Sequence, residues 1–314
     1  MRALIKIMVV ISLMFSGLIF LSYTDYSKLS QQNFLIGATY MELDKSFFQV
    51  INNEISKAVQ AKGDTIITLD GCLDSERQEE EIYYLINQNI DLLIVNPVDA
   101  SKIEPALQAA KAANIPIVLV DSTISDPELY DCLVISNNYN AGISCAKHLT
   151  ATLDQANILI LEHQQVIAAT QRIEGFRDYL AGKNQYRISA ALDCLGQTDR
   201  AYELTSGYLQ KNRNIDVIMA LNDTAALGAL AAVEQQGLNI QVYGVDGSPE
   251  IKKLLLSNPN IMATASQSPQ QLGKQAIANG YKLIYNEPVI KDFYLGTELI
   301  TRENVAQYNI MGWQ

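Results

Sequence analysis

The residues able to do chemistry in this sequence fall just past the ends of short apolar runs. Phe47 and Phe48 follow the run that ends at Tyr40, and the pair Asp121-Ser122 follows Ile115–Val120. Asn222 follows the run 216–220, Asp246 follows 240–245, and Gln267 follows 261–265, while Arg172 sits near a helix start. Carboxylates, amides, a hydroxyl and a guanidinium can pair with groups that donate and accept at once, as hydroxyls do, and aromatic rings can pack on C–H faces. A dry site whose polar groups are all paired by its ligand rejects analogues that leave one group unpaired. Taken together these types suit capture of a small polyhydroxylated molecule. Taken singly each has an ordinary structural explanation. Asp121 and Asp246 read equally as turn or cap residues, and Asn222 as a helix N-cap. Arg172 reads as a surface charge. Phe47 and Phe48 read as core, with adjacency expected to turn no more than one of them fully inward.

Bond-breaking chemistry has little to work with. The two histidines are His148 and His163, the first expected on a helix face and the second just past a strand. No Gly-x-Gly-x-x-Gly, Walker loop, Gly-x-Ser-x-Gly elbow or His-Glu-x-x-His occurs. Glu162-His163 lacks the further ligands a metal needs. No catalytic residue, metal or cofactor is expected. The four cysteines, Cys72, Cys132, Cys145 and Cys194, match neither a zinc spacing nor Cys-x-x-Cys, and read as unpaired structural residues.

The elements that must position these groups alternate in type. From Asn33 onward, β-branched and aliphatic runs such as Leu92–Val95, Ile115–Val120 and 216–220 are apolar on both faces, as parallel strands covered by helices should be. Helical stretches separate them, among them Ser46–Ala61 with Gly63 as a stop signal, Ser101–Ala113, and 170–180. Strand–helix alternation at this spacing predicts right-handed βαβ units and a doubly wound sheet. The pattern restarts after Cys132, and two blocks of similar size predict two lobes. Ligands of such sheets bind at the carboxyl ends of the strands, where the loops converge.

A chain of 314 residues fits about two domains. Its net charge of −11 repels phosphate backbones, so nucleic acid is not an expected partner. Arg2 and Lys6 precede an apolar run, Ile7 to Leu21, which reads as a signal peptide or a signal anchor over residues 1–23. Residues 24–32 read as a polar tether. Positive charge before the run places the rest of the chain outside the cytoplasm.

Several longer motifs occur in order: Leu43-Asp-Lys-Ser-Phe-Phe48, Ile94-Val-Asn-Pro-Val-Asp99, Ala113-Asn-Ile-Pro-Ile-Val118, Arg172-Ile-Glu-Gly-Phe176, the stretch from Asn222 to Ala229, Gly244-Val-Asp-Gly247 and Thr264-Ala-Ser-Gln-Ser-Pro269. On these, from about Phe34 onward, the chain resembles the ribose/galactose-type sugar-binding proteins of bacterial ABC importers, the type I periplasmic binding proteins. The resemblance implies two Rossmann-like lobes joined by a three-segment hinge that close on a ligand. It implies lobes of residues 33–136 plus 268–296 and 137–267 plus 297–314. It further implies stacking by Phe48 and Phe47, with polar contacts from Asp121, Arg172, Asn222, Asp246 and Gln267. The implied partners are a sugar and an ABC permease with its ATPase. The alternative is a membrane-tethered sensor that signals to a histidine kinase or chemoreceptor. The chain departs from ribose-binding members at Asp44-Lys45-Ser46, where they have Asn-Asn-Pro, at Ser122, where Arg is frequent, and at Thr198, where an aromatic is frequent. These departures leave the ligand's identity open.

Overall fold

The structure, a computed structural model, describes residues 33–314. The expected signal segment at 1–23 and tether at 24–32 lie outside the described residues. Two six-stranded sheets organise the chain. The first has the order β11-β5-β4-β3-β1-β2, with β1 Leu35–Tyr40, β2 Thr65–Asp70, β3 Leu92–Val95, β4 Ile117–Val120, β5 Cys132–Ser136 and β11 Asp292–Leu295. The second has the order β12-β10-β9-β8-β6-β7, with β6 Ala156–Glu162, β7 Tyr186–Asp193, β8 Val217–Ala220, β9 Gln241–Asp246, β10 Ile261–Ser266 and β12 Glu298–Thr301. All pairings in the first sheet are parallel. In the second, only β12 runs antiparallel, against β10.

Burial follows position in the sheet. The central strands β3, β4 and β8 are buried along their whole length, so aliphatic side chains are required on both faces. The edge strands β2, β7 and β11 alternate or lie half-exposed. Helices cover both faces: α1 Ser46–Ala61, α2 Ser75–Asn87, α3 Glu104–Ala112, α4 Asn138–Thr152, α5 Ile167–Leu180, α6 Thr198–Lys211, α7 Asp223–Gln235, α8 Pro249–Ser257 and α9 Pro269–Ile284. The expected two-lobed, doubly wound α/β architecture is therefore present.

Local differences have local causes. The helix expected from Ser101 begins at Glu104, because Pro105 sits in its first turn and Asp99 holds a preceding turn by accepting from the Ser101 and Lys102 amides. The stop at Gly63 is a left-handed residue, φ +80°. The expected strand 289–295 shrinks to β11, and the sequence reading missed β12 altogether. The four cysteines are unpaired, and three of them, Cys132, Cys145 and Cys194, are buried.

The chain passes between the sheets three times: after β5, after β10 and after β11. After the first passage α4 packs on β9, β10 and β12, and after the second α9 packs on α1, β3, β4 and β5. The passages are tied together, since the Asn137 amide donates to the Leu295 carbonyl at 2.8 Å.

Candidate functional site

Each sheet presents the carboxyl ends of its central strands to a cleft between the lobes, with a volume of about 270 Å³. That is near the lower end of the range for small-molecule sites and suits a monosaccharide-sized occupant. Its wall includes Phe47, Phe48, Asp121, Arg172, Asn222, Asp246 and Gln267.

Asp121 directly follows β4 and Asp246 ends β9, so the two lobes present a carboxylate from corresponding strand ends. Both residues adopt positive φ, +67° and +140° respectively. L side chains rarely take such conformations, and each costs about 1–3 kcal/mol unless the surroundings enforce it.

Arg172 is 5% exposed on α5, not the surface charge its isolated reading suggested. Its Nε donates to Asn138 Oδ1 at 2.7 Å, and one terminal nitrogen donates to the Leu221 carbonyl at 3.0 Å and to Asp246 Oδ1 at 3.4 Å. Asp246 Oδ1 also accepts from Gln267 Nε2 at 2.8 Å, and its Oδ2 accepts from the Asp223 amide at 3.3 Å. Asn138 opens the helix after the first passage and Gln267 lies in the second. One buried hydrogen-bonded chain therefore runs from one passage through the cleft floor to the next.

Asn222 both caps α7, accepting from the Ala225 amide at 2.8 Å, and lines the cleft. The capping and the cleft-lining readings hold together. Phe47 and Phe48 both turn inward, contrary to the expectation from adjacency, with rings edge-to-face at 5.4 Å. This is possible because the start of α1 faces the cleft as well as the core. Ser122 is buried but absent from the cleft wall, since its neighbour Asp121 takes the cleft-facing position at the end of β4. Of the residues that departed from the ribose-binding pattern, Lys45 lines the cleft and pairs with Glu42 at 3.8 Å. Thr198 instead donates to the Thr224 carbonyl at 3.1 Å.

Sequence reasoning missed three contributors. Asn138 stands just past β5, where the strand-end rule could have found it. Asp223 is buried, accepting from the Ser248 amide and the Thr264 hydroxyl, both at 2.7 Å. Trp313 reaches the cleft from the end of the sequence, its ring 5.4 Å from Phe47. Its segment is anchored by Gln314, whose Nε2 donates to the Asp246 and Gln267 carbonyls at 3.2 and 2.7 Å. Lys252 adds a bond from its Nζ to the Gly312 carbonyl at 2.6 Å. No local signal marked Trp313, because its partners are assembled only by the fold.

The electrostatics are unusual for a site with so much acid. Burial pushes the Asp121 carboxyl up to about 7, against the pull of Arg172 and with a smaller push from Asp246. Asp223 is raised to about 8, by burial first and the charge of Asp246 second. Burial also raises Asp246, opposed by Arg172. Several buried polar atoms here meet no partner among the described residues: Asp121 Oδ1, Gln267 Oε1, His163 Nδ1 and Asn138 Nδ2. Buried polar groups are normally satisfied, and the first three belong to residues of the cleft wall.

The model of a periplasmic binding protein domain matches residues 36–288, most of the chain. The chain belongs to the periplasmic binding protein family. The ribose import binding protein of Bacillus subtilis (strain 168) is 29% identical over 278 residues, covering 87% of this chain and 89% of that relative. A solute-binding protein of an ABC transporter from Mycobacterium smegmatis, solved with bound glycerol, superposes with a TM-score of 0.84 at 25% identity, covering 90% of this chain and 98% of that one. An ABC transporter solute-binding protein from Actinobacillus succinogenes, solved with bound D-allose, has a TM-score of 0.81 at 26% identity, covering 87% and 99%. Family membership makes the chain an extracytoplasmic binding protein, not an enzyme. No helix among the described residues is long and apolar enough to cross a membrane.

Proposed function

We propose that the chain captures a monosaccharide-sized polyol between its two lobes and delivers it to the permease of an ABC importer. The observation that carries this reading is the set of unpartnered buried polar atoms, Asp121 Oδ1 and Gln267 Oε1 foremost, on a cleft wall that also holds Phe47, Phe48 and Trp313. Sugar hydroxyls can satisfy such atoms while the C–H face packs on the rings. The named cargoes of the relatives, ribose and D-allose, support the same class. We assign ligand contact to Phe47, Phe48, Asp121, Arg172, Asn222, Asp246 and Gln267, and add Trp313. Residues 33–136 plus 268–296 form one lobe and 137–267 plus 297–314 the other, a division supported by the membership of the two sheets. Closure about the three passages joins the two halves of the site. In the cell, residues 1–23 either direct secretion or hold the chain at the membrane. If they hold it, signalling to a histidine kinase becomes the competing role, and a deletion strain that keeps uptake but loses induction would favour it.

The test is a thermal-shift screen of the purified chain against pentoses, hexoses and cyclitols. A ligand that binds only the folded state at about 100 times its dissociation constant stabilises by about 2.7 kcal/mol. A clear shift with one of them names the cargo. Folded, ligand-free protein that responds to none of them would overturn the polyol reading.

A further inference from the structure

Residues 309–314 lie outside the sheets and helices, and such segments stay loose unless they are tied down. This one is tied at every step. Three successive carbonyls each accept from a side chain: Gly312 from Lys252 Nζ at 2.6 Å, Trp313 from Gln270 Nε2 at 3.4 Å and Gln314 from Ser268 Oγ at 2.6 Å. The Gln314 amide works at both ends. Its Oε1 accepts from Lys252 Nζ at 2.8 Å, while its Nε2 donates to the carbonyls of Asp246 and Gln267, two residues of the cleft wall. Gly247 leaves the room for it, because a Cβ there would fall inside van der Waals contact with Gln314 Nε2 and Ser266 Cβ.

Lys252 is fully buried on α8. An aliphatic side chain would pack there without cost, whereas a buried amine is unfavourable unless its donors are bonded. Among the described residues, Nζ donates to Gly312 and Gln314 alone. The buried lysine is thus committed to the segment that carries Trp313.

We propose that residues 309–314 form a strap that sets the size limit of the cargo, with Trp313 as the specificity-determining residue and Lys252 as the residue that positions it; this rests on the polyol-binding reading above. The strap enters beside the second passage, and its ring meets Phe47 of α1 at 5.4 Å, so two aromatic rings close that side of a cleft of about 270 Å³. A ring whose backbone is bonded at three successive carbonyls cannot yield to a substituent, and overpacking a filled wall is unfavourable. A bare ring polyol fits beneath it. The same ring enlarged by one group on the Trp313 side does not.

The experiment has an empty arm and a loaded arm, both on the full chain. In the empty protein, Lys252→Met and Gln314→Ala, one in the core and one on the strap, are each expected to shift the tryptophan emission to longer wavelength and to increase its quenching by acrylamide. Emission and quenching unchanged in both overturn the positioning role. In the loaded arm, D-ribose, D-allose and myo-inositol are titrated beside their mono-O-methyl derivatives, one for each hydroxyl. Methylation of the hydroxyl that faces Trp313 is expected to weaken binding at least about tenfold, the scale of one methylene in a filled pocket. In Trp313→Ala that derivative regains at least about tenfold relative to its parent, and in Lys252→Met it moves the same way. General loosening would weaken parent and derivative alike and leave their ratio where it was. Derivatives that all bind the unaltered chain as their parent does, or a ratio that Trp313→Ala leaves unchanged, overturn the size filter and leave the polyol reading intact. Failure of all three parents and their derivatives on folded, unaltered chain also overturns the filter, and the polyol reading falls with it only where the wider screen is silent too.

Discussion

Arg172 carries more of the site than any other single side chain, because it is the only cation bonded to the cleft floor among the described residues. It bonds to Asn138, the Leu221 carbonyl and Asp246 at once. Removing one partner of a buried pair leaves the other charge unmatched, typically at about 3–5 kcal/mol. Arg172→Ala is therefore expected to weaken ligand binding at least about tenfold and also to lower the stability of the empty protein, read by calorimetric titration and by urea melts. Arg172→Lys should restore little, since a point charge cannot bond to three acceptors in the fork geometry of a guanidinium. Asp246→Ala should cost a similar amount, while the double variant should cost clearly less than the sum, because the second substitution removes a charge that the first has already orphaned. Strictly additive losses would show that the two do not act as a pair. The sequence could bring both residues into one candidate set, but it could not order them. In isolation Arg172 looked like surface, and its burial follows from the close approach of α4 and α5.

That approach is a property of elements, and glycines set it. A Cβ at Gly142 on α4 would fall inside van der Waals contact with the Arg172 carbonyl oxygen, and one at Gly175 on α5 would do the same with the Tyr139 carbonyl oxygen. The two backbones thus touch reciprocally, which brings Asn138 within reach of Arg172. Gly175→Ala should force the pair apart, costing about 1–3 kcal/mol as overpacking does, with weaker binding as Arg172 shifts. Gly207 on α6 meets nothing within 4 Å, so Gly207→Ala should instead stabilise by roughly 0.5–1 kcal/mol. Equal responses of the two in denaturant melts would remove the packing argument. The motif Arg172-Ile-Glu-Gly-Phe176 was legible from sequence, yet its glycine serves packing. Legibility tracked burial elsewhere too. The runs of β3, β4 and β8 stood out because full burial demands aliphatic residues throughout. The four residues of β12 run from exposed Glu298 through part-exposed Leu299 to buried Ile300 and Thr301, too short and mixed for a period to emerge. Capping by Asn222 was foreseen as an alternative to cleft lining, whereas one side chain does both because α7 begins at the cleft wall.

At the scale of the molecule, the cleft joins parts that only closure brings fully together. The bonded chain from Asn138 through Arg172 and Asp246 to Gln267 touches two of the three passages, and the Asn137 amide links the first passage to the third through Leu295. Occupying the floor therefore bears on the segments about which the lobes must rotate, and a ligand contacting both lobes shifts the population toward the closed form. The chain contains a built-in reporter of that shift, for Trp313 is its single tryptophan. Its segment is anchored to the second sheet's strand ends by Gln314 and to α8 by Lys252, while its ring rests on Phe47 of α1, which packs with the first sheet. Rotation of one lobe against the other must change the surroundings of this ring. Saturating ligand is expected to alter the tryptophan emission and, in parallel, to reduce the radius of gyration in small-angle scattering. In Trp313→Phe the emission signal disappears while the contraction persists, since a phenylalanine can still pack on Phe47. Emission that moves without contraction would mean that the ring senses the ligand directly and that the lobes do not close. Contraction without a change in emission would mean that the Trp313 segment travels with the first lobe, against the anchoring bonds to the second.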